Sequence, residues 1–127
     1  MKKQAWKKKI REATVAAGTY KDFFEIVMDE LAGILERRDA AVAEYDRDPR
    51  PVIEYTNKAE ATNIVKNPLL MLIDDMNRDA LAYWRDLGLT PAGLRKINEQ
   101  ALKESAETKA NGLLDRLMEF RKAQNNG

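Results

Sequence analysis

Leu87-Gly88-Leu89-Thr90-Pro91 cannot lie inside one continuous helix, yet each of its residues suits the end of one helix or the start of the next. Gly88 supplies the left-handed conformation that terminates helices, and Leu89 is then placed to fold back on Trp84 as the hydrophobic contact of a Schellman motif. Thr90 is a good N-cap, and Pro91 at the first helical position loses nothing by lacking an N–H. Counted from the second helix, Leu89 also precedes the cap and can staple onto Leu94. The expectation is a rigid corner built from Trp84, Leu87, Gly88, Leu89, Thr90, Pro91 and Leu94.

The remaining breakers divide the chain in the same way. Asn67-Pro68 repeats the cap-and-proline start, and Leu69, Leu72, Ile73, Met76, Ala80, Tyr83, Trp84 and Leu87 then form a nearly unbroken helical stripe. Upstream, Asp48-Pro49-Arg50-Pro51 must end a long helix whose apolar face is Phe24, Val27, Leu31, Ile34, Leu35, Val42 and Tyr45. Thr19 with Asp22 three residues on resembles its capping box. Before that, Trp6, Ile10, Ala13 and Ala17 mark a short helix ending at Gly18. Val52, Ile53 and Tyr55 suggest an extended piece without an evident mate, so 52–66 reads mainly as loop. Beyond the corner, Leu94, Ile97, Ala101 and Leu102 continue a helix, 103–111 is polar, and Asn111-Gly112 is a break. The sequence thus predicts an all-α fold: a small helical domain with a central helical hairpin, a basic N-terminal helix and a short C-terminal amphipathic helix. Its divisions are a basic segment at 1–18, a helical core at 19–102, and a polar linker with an amphipathic tail at 103–127.

Charge is the second informative pattern. The net charge of +1 over 127 residues conceals six cations, Lys2, Lys3, Lys7, Lys8, Lys9 and Arg11, against Glu12 alone before Gly18. From 19 to 48 acids dominate, with Asp22, Glu25, Asp29, Glu36 and Asp39 along one helix face. This asymmetry has two readings: polyanion binding by the basic end, or charge pairing between segments or subunits. On the first, the six cations contact nucleic-acid phosphates and Trp6 stacks on a base or anchors the helix.

Catalysis finds little support. Without His or Cys the commonest general base, thiol chemistry and most zinc sites are gone, and Asp74, Asp75 and Asp79 read as a solvated face rather than a magnesium site. No phosphate-binding glycine loop is present, so no enzyme activity and no cofactor are expected. The longest apolar run, from Leu69 to Ile73, is too short to span a bilayer, and no signal peptide is recognisable, which predicts a soluble cytoplasmic protein without membrane contact. Arg95 and Lys96 after the tight turn permit a helix-turn-helix and a possible secondary DNA contact. The apolar inner faces, with only two cations before Glu99, favour a structural hairpin.

Taken in order, the helix around Leu31-Ala32, the stretch from Asp39 to Tyr45, Asn67-Pro68 and the run from Leu87 to Arg95 resemble the short phage terminase small subunits, over roughly 20–97. The resemblance implies a non-catalytic, DNA-recognising component of a packaging motor in the bacterial host cytoplasm. It implies a homo-oligomeric ring that binds double-stranded viral DNA and presents it to a large subunit holding the ATPase and nuclease. The basic segment and the tail lie outside it. Leu113, Leu114, Leu117, Met118 and Phe120 are expected to bind a partner, either the large subunit or a neighbouring protomer, because so short a helix does not persist alone. A helix-turn-helix transcriptional regulator and a helical adaptor without nucleic-acid function are the competing readings.

Overall fold

Five consecutive buried residues, Leu31, Ala32, Gly33, Ile34 and Leu35, sit at the centre of the helix Glu25–Arg47. A helix buried around so much of its circumference must be covered from more than one side. In the computed structural model, which describes residues 1–125, that helix is α2; α1 (Lys3–Ala17) packs along one side of it and α3 (Pro68–Asp86) along another. Ile10 of α1, Met28, Leu31 and Leu35 of α2, Ile73, Met76 and Ala80 of α3, and Leu87 close one core. At about 1.5–3 kcal/mol for each large side chain removed from water, this apolar contact is the main source of stability.

The basic segment at 1–18 packs on α2 through α1, with Ile10 and Thr14 inside that core region. The central pairing differs from expectation: α2 is flanked by α1 and α3, while α4 (Pro91–Asn125) meets the body only through its first turns, where Gly93 is buried and Leu94 and Ile97 are half-buried. The predicted break at Asn111-Gly112 is absent and α4 is one 35-residue helix. An exposed glycine costs a helix about 1 kcal/mol relative to alanine but does not by itself end it.

Residues 52–66 form a β-hairpin rather than a loop. β1 (Val52–Thr56) pairs antiparallel with β2 (Thr62–Lys66), with Ile53 opposite Val65 and both half-buried. The missing mate was the Ile64-Val65 pair beyond the turn. Asn57 shapes that turn, its side-chain oxygen accepting from the N–H groups of Ala59 at 2.9 Å and Ala61 at 3.0 Å. The hairpin is tied at its base, where Asn67 donates from its backbone to Pro51 O and from its amide to Arg50 O, both at 2.9 Å. The same Asn67 caps α3 by accepting from Leu69 N–H at 3.0 Å.

The backbone of the corner takes the expected form. Gly88 has φ +73°, its N–H reaches Arg85 O at 3.0 Å, and Leu89 N–H reaches Trp84 O at 2.8 Å. Those are the two hydrogen bonds of a Schellman motif. Thr90 Oγ1 accepts from Gly93 N–H at 3.0 Å and caps α4. The same motif ends α1: Gly18, φ +75°, bonds to Val15 O at 3.1 Å, and Thr19 bonds to Thr14 O at 2.9 Å. Thr19 is not the cap of α2. A single 3-10 turn, Asp22–Phe24, leads into that helix, and neither start carries a side-chain cap. Thr19 is instead buried and donates its hydroxyl to Leu87 O at 2.7 Å, joining the two glycine turns.

The two glycines should respond differently to alanine. Gly18→Ala meets nothing within 4 Å, so only the left-handed backbone opposes it, at about 1–2 kcal/mol. Gly88→Ala adds a Cβ 2.7 Å from Thr19 Cγ2 and 2.8 Å from Ile97 Cδ1, and is expected to destabilise by more, about 3 kcal/mol. Thr19→Val, which removes the buried donor, is expected to lose about 1–2 kcal/mol. Urea unfolding of the three variants checks the order; equal losses at the two glycines would show that the joined turns contribute nothing.

Candidate nucleic-acid interface

The cations of α1 divide by face. Lys3, Lys7 and Arg11 follow one another at four-residue intervals and lie beside the Trp6, Ile10, Thr14 stripe that meets α2. Their partners are α2 carboxylates: Lys3 Nζ to Asp29 at 2.9 Å, Lys7 Nζ to Asp29 at 3.6 Å, and Arg11 to Glu25. The last is two-pronged, Nε to Oε1 at 2.7 Å and Nη2 to Oε2 at 3.1 Å, with Tyr20 donating to the same Oε1 at 3.1 Å. At the start of α1 the open N–H of Lys3 donates to Glu36 Oε2 at 2.6 Å, a cap supplied by another helix.

Trp6 is likewise occupied. Its indole N–H donates to Asp39 Oδ2 at 2.7 Å, and Lys9 and Arg38 lie 5.8 and 5.6 Å from the ring centroid. Asp39 also accepts from Arg38 at 3.0 Å and from the terminal ammonium of Met1 at 3.0 Å. Of the two roles expected for Trp6, this geometry is that of the anchor.

Lys2, Lys8 and Lys9 are exposed and form no ion pair among the described residues, with Glu12 the one acid on the outward part of α1. Arg37 of α2, which the sequence did not single out, is exposed near Lys3: a Cβ at Gly33 would lie 3.4 Å from Arg37 Nη1 and 3.8 Å from Lys3 Cε. Arg95 and Lys96 are exposed at the start of α4, and Lys96 borders an open groove of about 630 Å³ with Phe23, Phe24, Ile97 and Ala101. The tail residues Leu113, Leu114, Leu117, Met118 and Phe120 are all exposed, far along α4 from the α1 cations in sequence.

On α3, Asp74 is paired with Lys66 at 2.8 Å and Asp75 with Arg78 at 3.3 Å. No group of three or more metal-ligating side chains is assembled among the described residues, and none of their helices is long and apolar enough to cross a membrane.

A three-helix body with a basic helix docked on its acidic neighbour, a β-hairpin and a projecting helix defines a small, mostly helical protein. The family described as phage terminase, small subunit, matches residues 3–104, from the first residue of α1 into α4. The chain belongs to that family and so to the DNA-packaging apparatus of bacteriophages. No curated protein and no solved structure shows significant similarity to it.

The ion pairs make α1 docking sensitive to acid. The hydrogen bond from Arg11 holds Glu25 below its ordinary value, and that from Lys3 does the same for Asp29. At Asp39 burial pushes upward, but donation from Trp6, the terminal ammonium and Arg38 leaves it lowered. Carboxylates depressed in the folded state contribute fully above their unfolded values, about pH 4, and lose that contribution as pH falls through the lowered ones. In a Trp84→Phe background, Trp6 fluorescence is expected to stay constant from pH 9 to 5 and to shift to the solvent-exposed spectrum only below about pH 4. A transition centred near pH 6 would contradict these pairings.

Proposed function

We propose that this chain is the non-catalytic, DNA-recognising subunit of its packaging motor, binding double-stranded viral DNA through the outward face of α1. Lys2, Lys8 and Lys9 are the primary contacts, with Arg95 and Lys96 as a secondary contact. Lys3, Lys7, Arg11 and Trp6 act indirectly by fixing the rotation of α1 on α2. The observation that carries this reading is the split of α1 into a neutralised inner face and an outer face whose lysines lack carboxylate partners. Membership in the small-subunit family supports the packaging role. On this reading the subunit assembles as a homo-oligomeric ring and presents DNA to the large subunit with the ATPase and nuclease.

Phosphate contacts are tested by salt. Each lysine on a phosphate releases counterions and contributes about 0.9 to the slope of log K against log salt concentration. Replacing Lys2, Lys8 and Lys9 together by Gln is expected to flatten that slope by up to about 2.7 per subunit engaged, without changing the urea midpoint. Replacing Lys3 and Lys7 by Gln is expected to lower the midpoint more than it flattens the slope. An unchanged slope in the first variant would reject the assignment.

A further inference from the structure

Every residue of α4 from 98 to 125 is exposed, and the part beyond residue 100 projects roughly 37 Å at 1.5 Å per residue. Among the described residues no ion pair forms along it, yet Leu113, Leu117 and Phe120 are 60%, 58% and 64% exposed. In proteins most helical stability comes from packing an apolar face, and such side chains at helical spacing call for a partner. The matched family region ends at residue 104, so this surface lies beyond it.

The order of residues selects the partner. Ala106, Ala110, Leu113, Leu117 and Phe120 alternate in steps of four and three, the seam of a two-helix coiled coil. If two copies ran parallel, Arg116 of each would face Arg121 of the other, two like-charge contacts. If they ran antiparallel with Leu113 opposite Leu117, small Ala110 would lie opposite large Phe120, and Glu107 would flank Arg121 of the other copy at both ends. One like-charge contact then remains, between the two Arg116 side chains near the axis. Size and charge both favour the antiparallel arrangement.

We infer that the α4 tail is a self-association element, pairing antiparallel with the tail of a second copy of this chain across a two-fold axis through Ala106, Ala110, Leu113, Leu117 and Phe120. The contact is isologous, unlike the head-to-tail contact that closes a ring, so it links pairs of subunits independently of ring closure. It goes beyond the DNA reading and does not depend on it.

The full chain, which contains no cysteine, provides a direct test. Ala106→Cys and Gln124→Cys variants, prepared separately and mixed under oxidation, are expected to form a cross-linked dimer in the mixture and little in either sample alone. Glu107→Arg or Arg121→Glu alone is expected to weaken tail-dependent association about tenfold, and the double variant to restore it. Cross-linking of each cysteine variant with itself, or strengthening by Arg121→Glu alone, would mean a parallel pair and overturn the proposal. So would a tail that shows no cross-link in any mixture or becomes protected only when large subunit is added. DNA affinity measured on the same charge variants is expected to match the parent, so failure of the tail contact is distinguishable from failure of the α1 interface.

Discussion

The carboxylates of α2 have to be neutralised, and how this is done sets the character of the whole molecule. Glu25, Asp29, Glu36 and Asp39 occupy the side of α2 that receives α1, and α1 meets them with Arg11, Lys3, Lys7, the Lys3 backbone N–H and the Trp6 indole. Partly exposed ion pairs contribute little, whereas burying Ile10 contributes about 2 kcal/mol or more. Apolar burial therefore holds α1 in place. The charges help set its rotation about its own axis, because this one brings Lys3, Lys7 and Arg11 onto Asp29 and Glu25 while Ile10 and Thr14 stay buried. The outward display of Lys2, Lys8 and Lys9 is the consequence of that rotation.

A second constraint fixes where α4 leaves the body. The turns at Gly18 and Gly88 have the same hydrogen-bonding pattern, and Thr19, the last residue of the first, donates to Leu87, which precedes the second glycine. Side chains are excluded from the junction. A Cβ at Gly88 would strike Thr19 and Ile97, and one at Gly93 would collide with the Arg85 carbonyl. The first turn of α4 is thus pressed against the last turn of α3, while the rest of α4 runs free of the body. This geometry makes the corner a rigid junction whose residues are engaged with one another.

Much of this was legible in the sequence where one local rule decides the outcome. Gly18, Asn67-Pro68 and Gly88 through Pro91 set four helix boundaries by backbone chemistry alone, and the stripe from Leu69 to Leu87 needed nothing more than its period. What escaped depended on distant segments. Thr19 looks like a cap locally, but its hydroxyl is claimed by a carbonyl 68 residues away. Ile53 needed Val65 across a turn whose signal was Asn57 rather than a glycine. Asn111-Gly112 reads as a stop, although an exposed glycine with nothing to cap can stay inside a helix. The sorting of the α1 cations was partly available: Lys3, Lys7 and Arg11 share the four-residue spacing of Glu25 and Asp29, and that match separates docking charges from free ones.

The account stands on α1 having one bound and one free set of amines. Lysine acylation mapped residue by residue by mass spectrometry, on the full chain with and without double-stranded DNA, measures this directly. The account predicts fast modification of Lys2, Lys8 and Lys9 in the free protein and strong protection by DNA, with Lys3 and Lys7 slow in both states. Rapid modification of Lys3 and Lys7 in the free protein, or DNA protection falling on those two while Lys8 and Lys9 remain reactive, would contradict it.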